Sequence, residues 1–373
     1  MPGTAGAPPA PLAWPDGLGG RERRKEEDAT FRRTPRRARP AAVPPCMSRV
    51  VLPGVLMLCL LVSGCSSASP SVVAPAGPKA RFVTNAWWIL TGVAAFVCIV
   101  VIALAVAALV FRRRPKKVDS EGGQRPVVVF GLLIPALVLM ATFALSITGI
   151  AVNAQPPSRE VVTVHVIGHQ WWWGVKYPGA GVTTANEIHV PTGEPVRLEL
   201  TTDDVIHSFW VPQITPKMDL IPNRPNTTWF SVDKSGVYRG ACAEYCGLEH
   251  AHMAFAVIAQ PRAQFERWLH GQARAARAPT TVQQRLGMSV FETGTCATCH
   301  TIRGTRAHGH VGPDLTHVGS RRRLAAGTIP NNFGNMAGWV SNSQTIKPGN
   351  KMPPQPLSPD DLRAVVTYLQ SLE

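Results

Sequence analysis

Two uncharged stretches dominate the hydrophobic pattern. Trp87 to Phe111 runs 25 residues without a charge. As a helix it would span about 37 Å, against a bilayer hydrocarbon core of about 30 Å. Val127 to Ala151 is a second uncharged run, containing Pro135. Both exceed about 18 apolar residues, so they predict membrane helices rather than core helices. The basic run Arg112-Arg-Arg-Pro-Lys-Lys117 lies between them. By the positive-inside rule the loop 112–126 is cytoplasmic, and Trp87 and Trp88 sit at the outer interface. The pattern predicts a two-helix hairpin, 87–111 and 127–151, with both ends outside.

From Val161 the apolar period changes to two. Val162, Val164 and Val166 alternate with more polar residues, as do Val196, Leu198 and Leu200. Thr228, Phe230 and Val232 repeat the pattern, then Phe255, Val257 and Ala259. Pro178-Gly179, Pro191-Thr-Gly193 and Ser235-Gly236 punctuate the runs. Short strands with such breaks predict a β-sandwich or Greek-key barrel over 152–261. Residues 262–280, rich in Ala and Arg, read as a short helix or linker. Beyond them the pattern turns helical. Thr281 to Thr293 carries Leu286, Val290 and Phe291. Ser358-Pro-Asp-Asp361 is a helix start, followed by Leu362, Val365, Val366 and Leu369 on one face. The fold class is therefore a multidomain membrane protein: a transmembrane hairpin, a β-barrel, and an all-α domain over 281–373.

The N-terminus changes this picture little. Residues 1–46 carry nine basic and five acidic side chains among many Pro, Ala and Gly, with no apolar period. They read as disordered rather than as a nucleic-acid arm. Residues 47–64 follow the order of a secretory signal: a basic start, an apolar run, then small residues. A signal belongs at the extreme N-terminus, so Met47 is the expected true start. Ser63-Gly-Cys65 resembles a bacterial lipoprotein box, which implies a lipid anchor at Cys65 and a periplasmic segment 65–86. The alternative is an uncleaved apolar anchor. The chain has eight cysteines, too few for a disulfide framework at this length.

The chemistry is concentrated in Gly240 to Met253. Cys242 and Cys246 stand four apart, His250 follows at the same spacing, and Met253 lies three further on. His207 ends an upstream alternating run. Thiolate and thioether are soft ligands, and imidazole suits copper. Two thiolates, two imidazoles and a thioether are too many for one blue-copper ion, but two thiolates bridging two copper ions would use them all. A zinc site of Cys242, Cys246, His250 and His207, or a Cys242–Cys246 disulfide, also fits the residue types. A second motif is Cys296-Ala-Thr-Cys-His300, the pattern of covalent c-type haem attachment, with His300 as an iron ligand. No second cysteine pair follows to complete a zinc site.

His-Ser-Phe-Trp-Val-Pro, Lys-Met-Asp-Leu-Ile-Pro-Asn-Arg and Gly-Val-Tyr-Arg-Gly-Ala-Cys-Ala-Glu-Tyr-Cys-Gly closely resemble subunit II of the haem–copper cytochrome c oxidases. The resemblance runs from about Trp87 to Gln260. It implies a cupredoxin barrel and a dinuclear CuA centre on His207, Cys242, Cys246, His250 and Met253, with the backbone carbonyl of Glu244 as a further ligand. It also implies that the Glu244 side chain reaches a magnesium ion shared with subunit I, and that electrons enter at Trp171. Asn223 stands where the family usually has Gly, which leaves the local turn open. His165, His169, His189, His252 and His270 fit no ligand spacing.

Over about Gln283 to Leu372 the chain resembles class I cytochromes c. Lys347-Pro-Gly-Asn-Lys-Met-Pro353 resembles their methionine loop, which makes Met352 the sixth iron ligand, with Met336 as its competitor. Gly312-Pro-Asp-Leu315 resembles the segment packed on the haem face beside the histidine.

Together these resemblances imply a subunit II of a bacterial inner-membrane cytochrome c oxidase with a cytochrome c fused to it. Electrons would pass from a periplasmic donor through haem c and CuA to the oxygen-reducing centre of subunit I, with subunit III as a further partner and no nucleic acid. Rivals are a nitrous-oxide-reductase-like copper protein, against which the hairpin speaks, and a membrane-anchored carrier outside any oxidase. A quinol oxidase subunit is disfavoured, since such subunits lack the copper ligands. Between 155 and 260 there are 7 Lys and Arg against 10 Asp and Glu, and between 280 and 373 there are 9 against 5. Opposite signs on tethered domains predict a transient encounter, with Arg303, Arg306, Lys347 and Lys351 as its basic contacts.

Overall fold

The computed structural model describes residues 70–111, 120–154 and 162–373. The signal segment, Cys65 and the basic run 112–117 lie outside the described residues.

The first membrane helix, α1 (Pro78–Val110), begins nine residues before the uncharged stretch. The barrel makes that early start possible. Lys79 Nζ donates to Thr228 Oγ1 at 3.2 Å and lies 4.6 Å from the Trp229 ring, while Arg81 pairs with Asp233. The second span is made of α2 (Ser120–Val128), a π-helical turn at Val129–Leu133, and α3 (Ile134–Ala154). The wide turn ends just before Pro135, which has no N–H to continue the ordinary ladder. Phe96, Leu104, Leu132 and Phe143 are exposed on these helices, as side chains facing lipid would be.

The barrel is a sandwich of two five-stranded sheets. Its strands are β1 (Val162–His169), β2 (Trp172–Tyr177), β3 (Val182–Ala185), β4 (Glu187–Pro191), β5 (Val196–Thr202), β6 (His207–Val211), β7 (Thr215–Leu220), β8 (Asn226–Phe230), β9 (Gly236–Cys242) and β10 (Ala254–Gln260). One sheet has the order β3-β2-β1-β5-β8 and the other β4-β10-β9-β6-β7. β1 runs parallel to β5, and β4 parallel to β10. Such pairs cannot be joined by hairpins, so the chain crosses between sheets in a Greek-key manner. The alternating residues Val164, Val166, Val196, Leu198 and Leu200 point inward and are fully buried, as their period of two requires. Trp173, Phe209 and Phe255 fill the centre between the sheets. Asn223 has φ 59°, a left-handed conformation that Asn tolerates better than most residues, so the turn keeps the geometry a glycine would give it.

The segment read as a short helix or linker starts as a helix, α4 (Arg262–Ala273), and its Phe265 is buried in the barrel core. The C-terminal domain contains α5 (Val282–Thr293), the short α6 (Cys296–Cys299), a two-residue β11–β12 pair (Arg323–Leu324, Ile329–Pro330), α7 (Phe333–Ser341) and α8 (Pro359–Gln370). Thr281 caps α5 in a capping box with Gln284, and Ser358 Oγ accepts from the Asp361 amide at 3.1 Å to start α8. Phe291, Val365, Tyr368 and Leu369 bury the facing sides of these two helices.

Candidate metal and haem centres

Strand pairing gathers the sulfur and imidazole groups. β6 pairs with β9, setting Phe209 opposite Cys242 and so bringing His207 beside that cysteine. The loop from Ala243 to Met253 joins β9 to β10, and its ends are tied by the Cys242 amide donating to the Met253 carbonyl at 3.0 Å. Gly247 makes the turn possible. Its φ is +113°, and a Cβ there would lie 3.1 Å from the Trp171 ring.

The two sulfurs are 3.8 Å apart. His207 Nδ1 lies 3.8 Å from Cys242 Sγ, and His250 Nδ1 lies 3.6 Å from Cys246 Sγ. Met253 Sδ is 3.8 Å from Cys246 Sγ, and the Glu244 carbonyl is 3.2 Å from Cys242 Sγ. The ligand atoms of His207, Cys242 and Cys246 all fall within 4.8 Å of one another, and all three residues are buried. One imidazole flanks each sulfur, with a thioether and a carbonyl at the ends. This donor set fits two soft cations bridged by two thiolates better than one tetrahedral zinc, which would leave Met253 and the carbonyl unused. The thiols are strongly coupled. The hydrogen bond between the two sulfurs pulls the Cys242 thiol down, against the cost of burial, and pushes the Cys246 thiol up, where burial acts in the same direction.

Asp204 organises this cluster and carries no signal of that role in the sequence. Its Oδ1 accepts from His207 Nε2 at 2.9 Å, which fixes the tautomer and leaves Nδ1 free toward the sulfurs. Burial disfavours the ionised carboxylate, but His207 and the amides of Gln170 and Val205 outweigh it and hold the pKa well below the usual range. Burial likewise works against a charged His207, and the bond to Asp204 with the nearby Cys242 reverses it, so its pKa is raised. The Glu244 side chain is half-exposed and pairs with Lys217 at 3.3 Å. Trp171 is half-buried, and its indole N–H donates to the Cys246 carbonyl at 3.0 Å. Four of the remaining histidines have ordinary partners: His169 stacks on Trp172, His189 on Trp268, His165 pairs with Glu199, and His252 with Glu249.

The second centre is a cavity of about 370 Å³ lined by Cys296, Cys299, His300, Met352 and Met336, and also by Trp171 and Gln170 from the barrel. His300 Nδ1 lies 2.8 Å from the Pro313 carbonyl and donates to it, which leaves Nε2 as the free lone pair. Burial lowers the pKa of His300 and keeps the ring neutral, the form that binds iron. Gly312 lets the ring in: a Cβ there would sit 2.5 Å from His300 Cε1. Met336 is packed in the core on α7, with Gln370 Nε2 donating to its sulfur at 3.5 Å. Met352 sits in a loop held by Ser343 Oγ and Gln344 Nε2, which donate to its carbonyl at 2.7 and 2.9 Å. The cavity, the free Nε2 and the paired cysteines fit a covalent haem.

A two-span hydrophobic hairpin, a cupredoxin-like sandwich with a sulfur–imidazole cluster, and a helical domain with a Cys-x-x-Cys-His cavity define a membrane-anchored electron-transport protein. The family described as cytochrome c oxidase subunit II, periplasmic domain, matches residues 180–260, and the cytochrome c family matches residues 284–373. Cytochrome c oxidase subunit 2 of Alkalihalophilus pseudofirmus is 35% identical over 329 residues, covering 85% of this chain and 95% of that protein. The subunit 2 of Bacillus sp. strain PS3 is 31% identical over 345 residues, with the same coverage. The periplasmic domain of subunit II of cytochrome oxidase from Bradyrhizobium japonicum is 32% identical over 31% of this chain and 94% of that one, with a TM-score of 0.30. The chain belongs to the cytochrome c oxidase subunit 2 family.

Proposed function

We propose that this chain receives electrons for a respiratory cytochrome c oxidase and delivers them to the subunit that reduces oxygen. The observation that carries the reading is Trp171, which lines the His300 cavity while its indole N–H bonds the carbonyl of Cys246. Cys296 and Cys299 would attach the haem, with His300 and Met352 on its iron. Cys242, Cys246, His207, His250 and Met253, with the Glu244 carbonyl, would hold a copper pair. When bound, the haem and the copper pair would supply one-electron redox couples. The protein's part is to hold these donors rigidly, exclude water from the sulfurs, and keep His207 and His300 in the tautomers that bind metal. The Glu244 carboxylate, half-exposed and paired with Lys217, would reach a magnesium ion at the contact with subunit I. Subunits I and III, and a periplasmic donor, complete the reading. The bacterial inner membrane is the site, with the two C-terminal domains on its outer side. A start at Met47 and a lipid on Cys65 belong to the same proposal, and intact-mass analysis of the mature chain checks both.

The test is to purify the complex in mild detergent and replace Trp171 by Ala. A large multi-span subunit should co-purify with the chain. Flash-induced transfer from haem to copper should slow by orders of magnitude in the variant, with both spectra intact. An unchanged rate would remove Trp171 from the path, and a chain that purifies alone with full redox activity would support the stand-alone carrier instead.

A further inference from the structure

Lys347 is 2% exposed, although it carries an ammonium group. Its Nζ donates to the Trp171 carbonyl at 2.9 Å and to the His252 carbonyl at 3.0 Å. Both acceptors belong to the barrel, while Lys347 belongs to the methionine loop of the C-terminal domain. Burying an ammonium is costly unless its protons are satisfied, so a lysine at this depth is held there by those bonds. Burial lowers its pKa to about 8, and the negative charge of Glu249 opposes that fall.

The loop transmits the grip. The Lys347 amide donates to the Ser343 carbonyl at 2.9 Å, and Asn350 Nδ2 donates to the Lys347 carbonyl at 2.7 Å. Ser343 also holds the Met352 carbonyl, so Lys347 and Met352 are tied through the same residue. Trp171 is thus held from both sides, its carbonyl by Lys347 and its indole N–H by the Cys246 carbonyl.

Three further bonds pin the domains elsewhere. The Arg322 amide donates to Glu187 Oε1 at 2.7 Å, and Glu187 is buried. The Ala254 amide donates to the Ala326 carbonyl at 3.0 Å, and Arg321 Nη2 donates to Thr184 Oγ1 at 3.4 Å. Ala325 and Ala326 take φ of 52° and 53° to present that carbonyl, a conformation that L-residues avoid. The interface is built from buried hydrogen bonds, not only from opposite surface charges. Of the four basic residues expected at an encounter, Lys347 is buried and Lys351 lies 3.4 Å from Asp204, while Arg303 bonds the carbonyls of Gln272 and Ala273.

We propose that Lys347 is a positioning residue, a buried latch that fixes the methionine loop on Trp171 and holds the two domains in one docked arrangement. Its role in electron transfer rests on the reading of Trp171 given above; the latch itself does not.

Two measurements on the full complex test it. Brief acylation with a water-soluble succinimidyl ester, followed by peptide mapping, should label the exposed Lys351 freely and Lys347 about tenfold more slowly or less. Equal labelling of Lys347 and Lys351 overturns the latch. Lys347→Met keeps the length of the side chain and removes its donors. Amide exchange at Ala254 and Arg322 should then quicken by about tenfold or more, with β1 and α8 unchanged. In the same variant, haem-to-copper transfer should slow and become dependent on solvent viscosity, with both absorption spectra unchanged. Exchange and viscosity response equal to the parent's would overturn the proposal. If the variant does not fold, the labelling of the parent chain decides. Protected Lys347 together with an unchanged transfer rate in Trp171→Ala would sink the electron path and leave the latch standing.

Discussion

Replacing Cys242 or Cys246 by Ser is expected to abolish the near-infrared copper band and oxygen turnover while leaving the c-haem spectrum intact. The geometry gives each sulfur a separate imidazole, His207 beside Cys242 and His250 beside Cys246, with 3.8 Å between the sulfurs. Neither cysteine can therefore take over the other's contacts. A serine hydroxyl is a hard, weakly acidic donor and does not replace a bridging thiolate for a soft cation. The haem cavity should be spared, because its attachment residues lie in the other domain and fold around their own core of Phe291, Val365 and Leu369. Copper analysis alongside the spectrum checks the result. Two coppers per chain in either single variant would contradict the bridging arrangement.

Met352→Ala is expected to keep the haem attached through Cys296 and Cys299 but to lose low-spin ligation. The potential should fall by on the order of 0.1 V, a fraction of the roughly 0.8 V that axial ligands command. The loop itself should hold, because Ser343 and Gln344 grip the backbone carbonyl of Met352 rather than its side chain. Turnover with a periplasmic donor should drop, since a lower-potential haem is harder to reduce. A redox titration followed in the visible bands measures this. An unchanged reduced spectrum and potential would transfer the ligand role to Met336, which would have to give up its packing and its bond with Gln370.

Much of this was legible in the sequence because the signals are periodic or compressed. Val164, Val166, Leu198 and Leu200 alternate and are buried as that alternation requires. The sulfur ligands sit within one loop, so their spacing alone suggested a shared centre. Asp204 was not legible: an acid three residues before a histidine has many ordinary explanations, and only folding places its Oδ1 against Nε2. Lys347 was legible only as a surface charge. Its partners are the backbone carbonyls of Trp171 and His252, and carbonyls leave no mark in a sequence. Net charge therefore suggested a transient encounter where the structure has a buried interface. The start of α1 was missed for a similar reason. Neither Lys79 nor Arg81 marks a helix start in the sequence, yet Thr228, Trp229 and Asp233 provide their partners and let the helix begin at Pro78. The helix over 262–280 was legible, but nothing in that segment announces that Phe265 on one face of α4 packs on the barrel.

The absorption spectrum of the purified complex, taken with copper and haem analysis on the same sample, decides whether this chain carries both redox centres. Expected are c-type haem bands and the near-infrared copper band together, with one covalent haem and two coppers for each copy of this chain. A preparation with fully attached haem c but no near-infrared band, or with zinc in place of the two coppers, would contradict it.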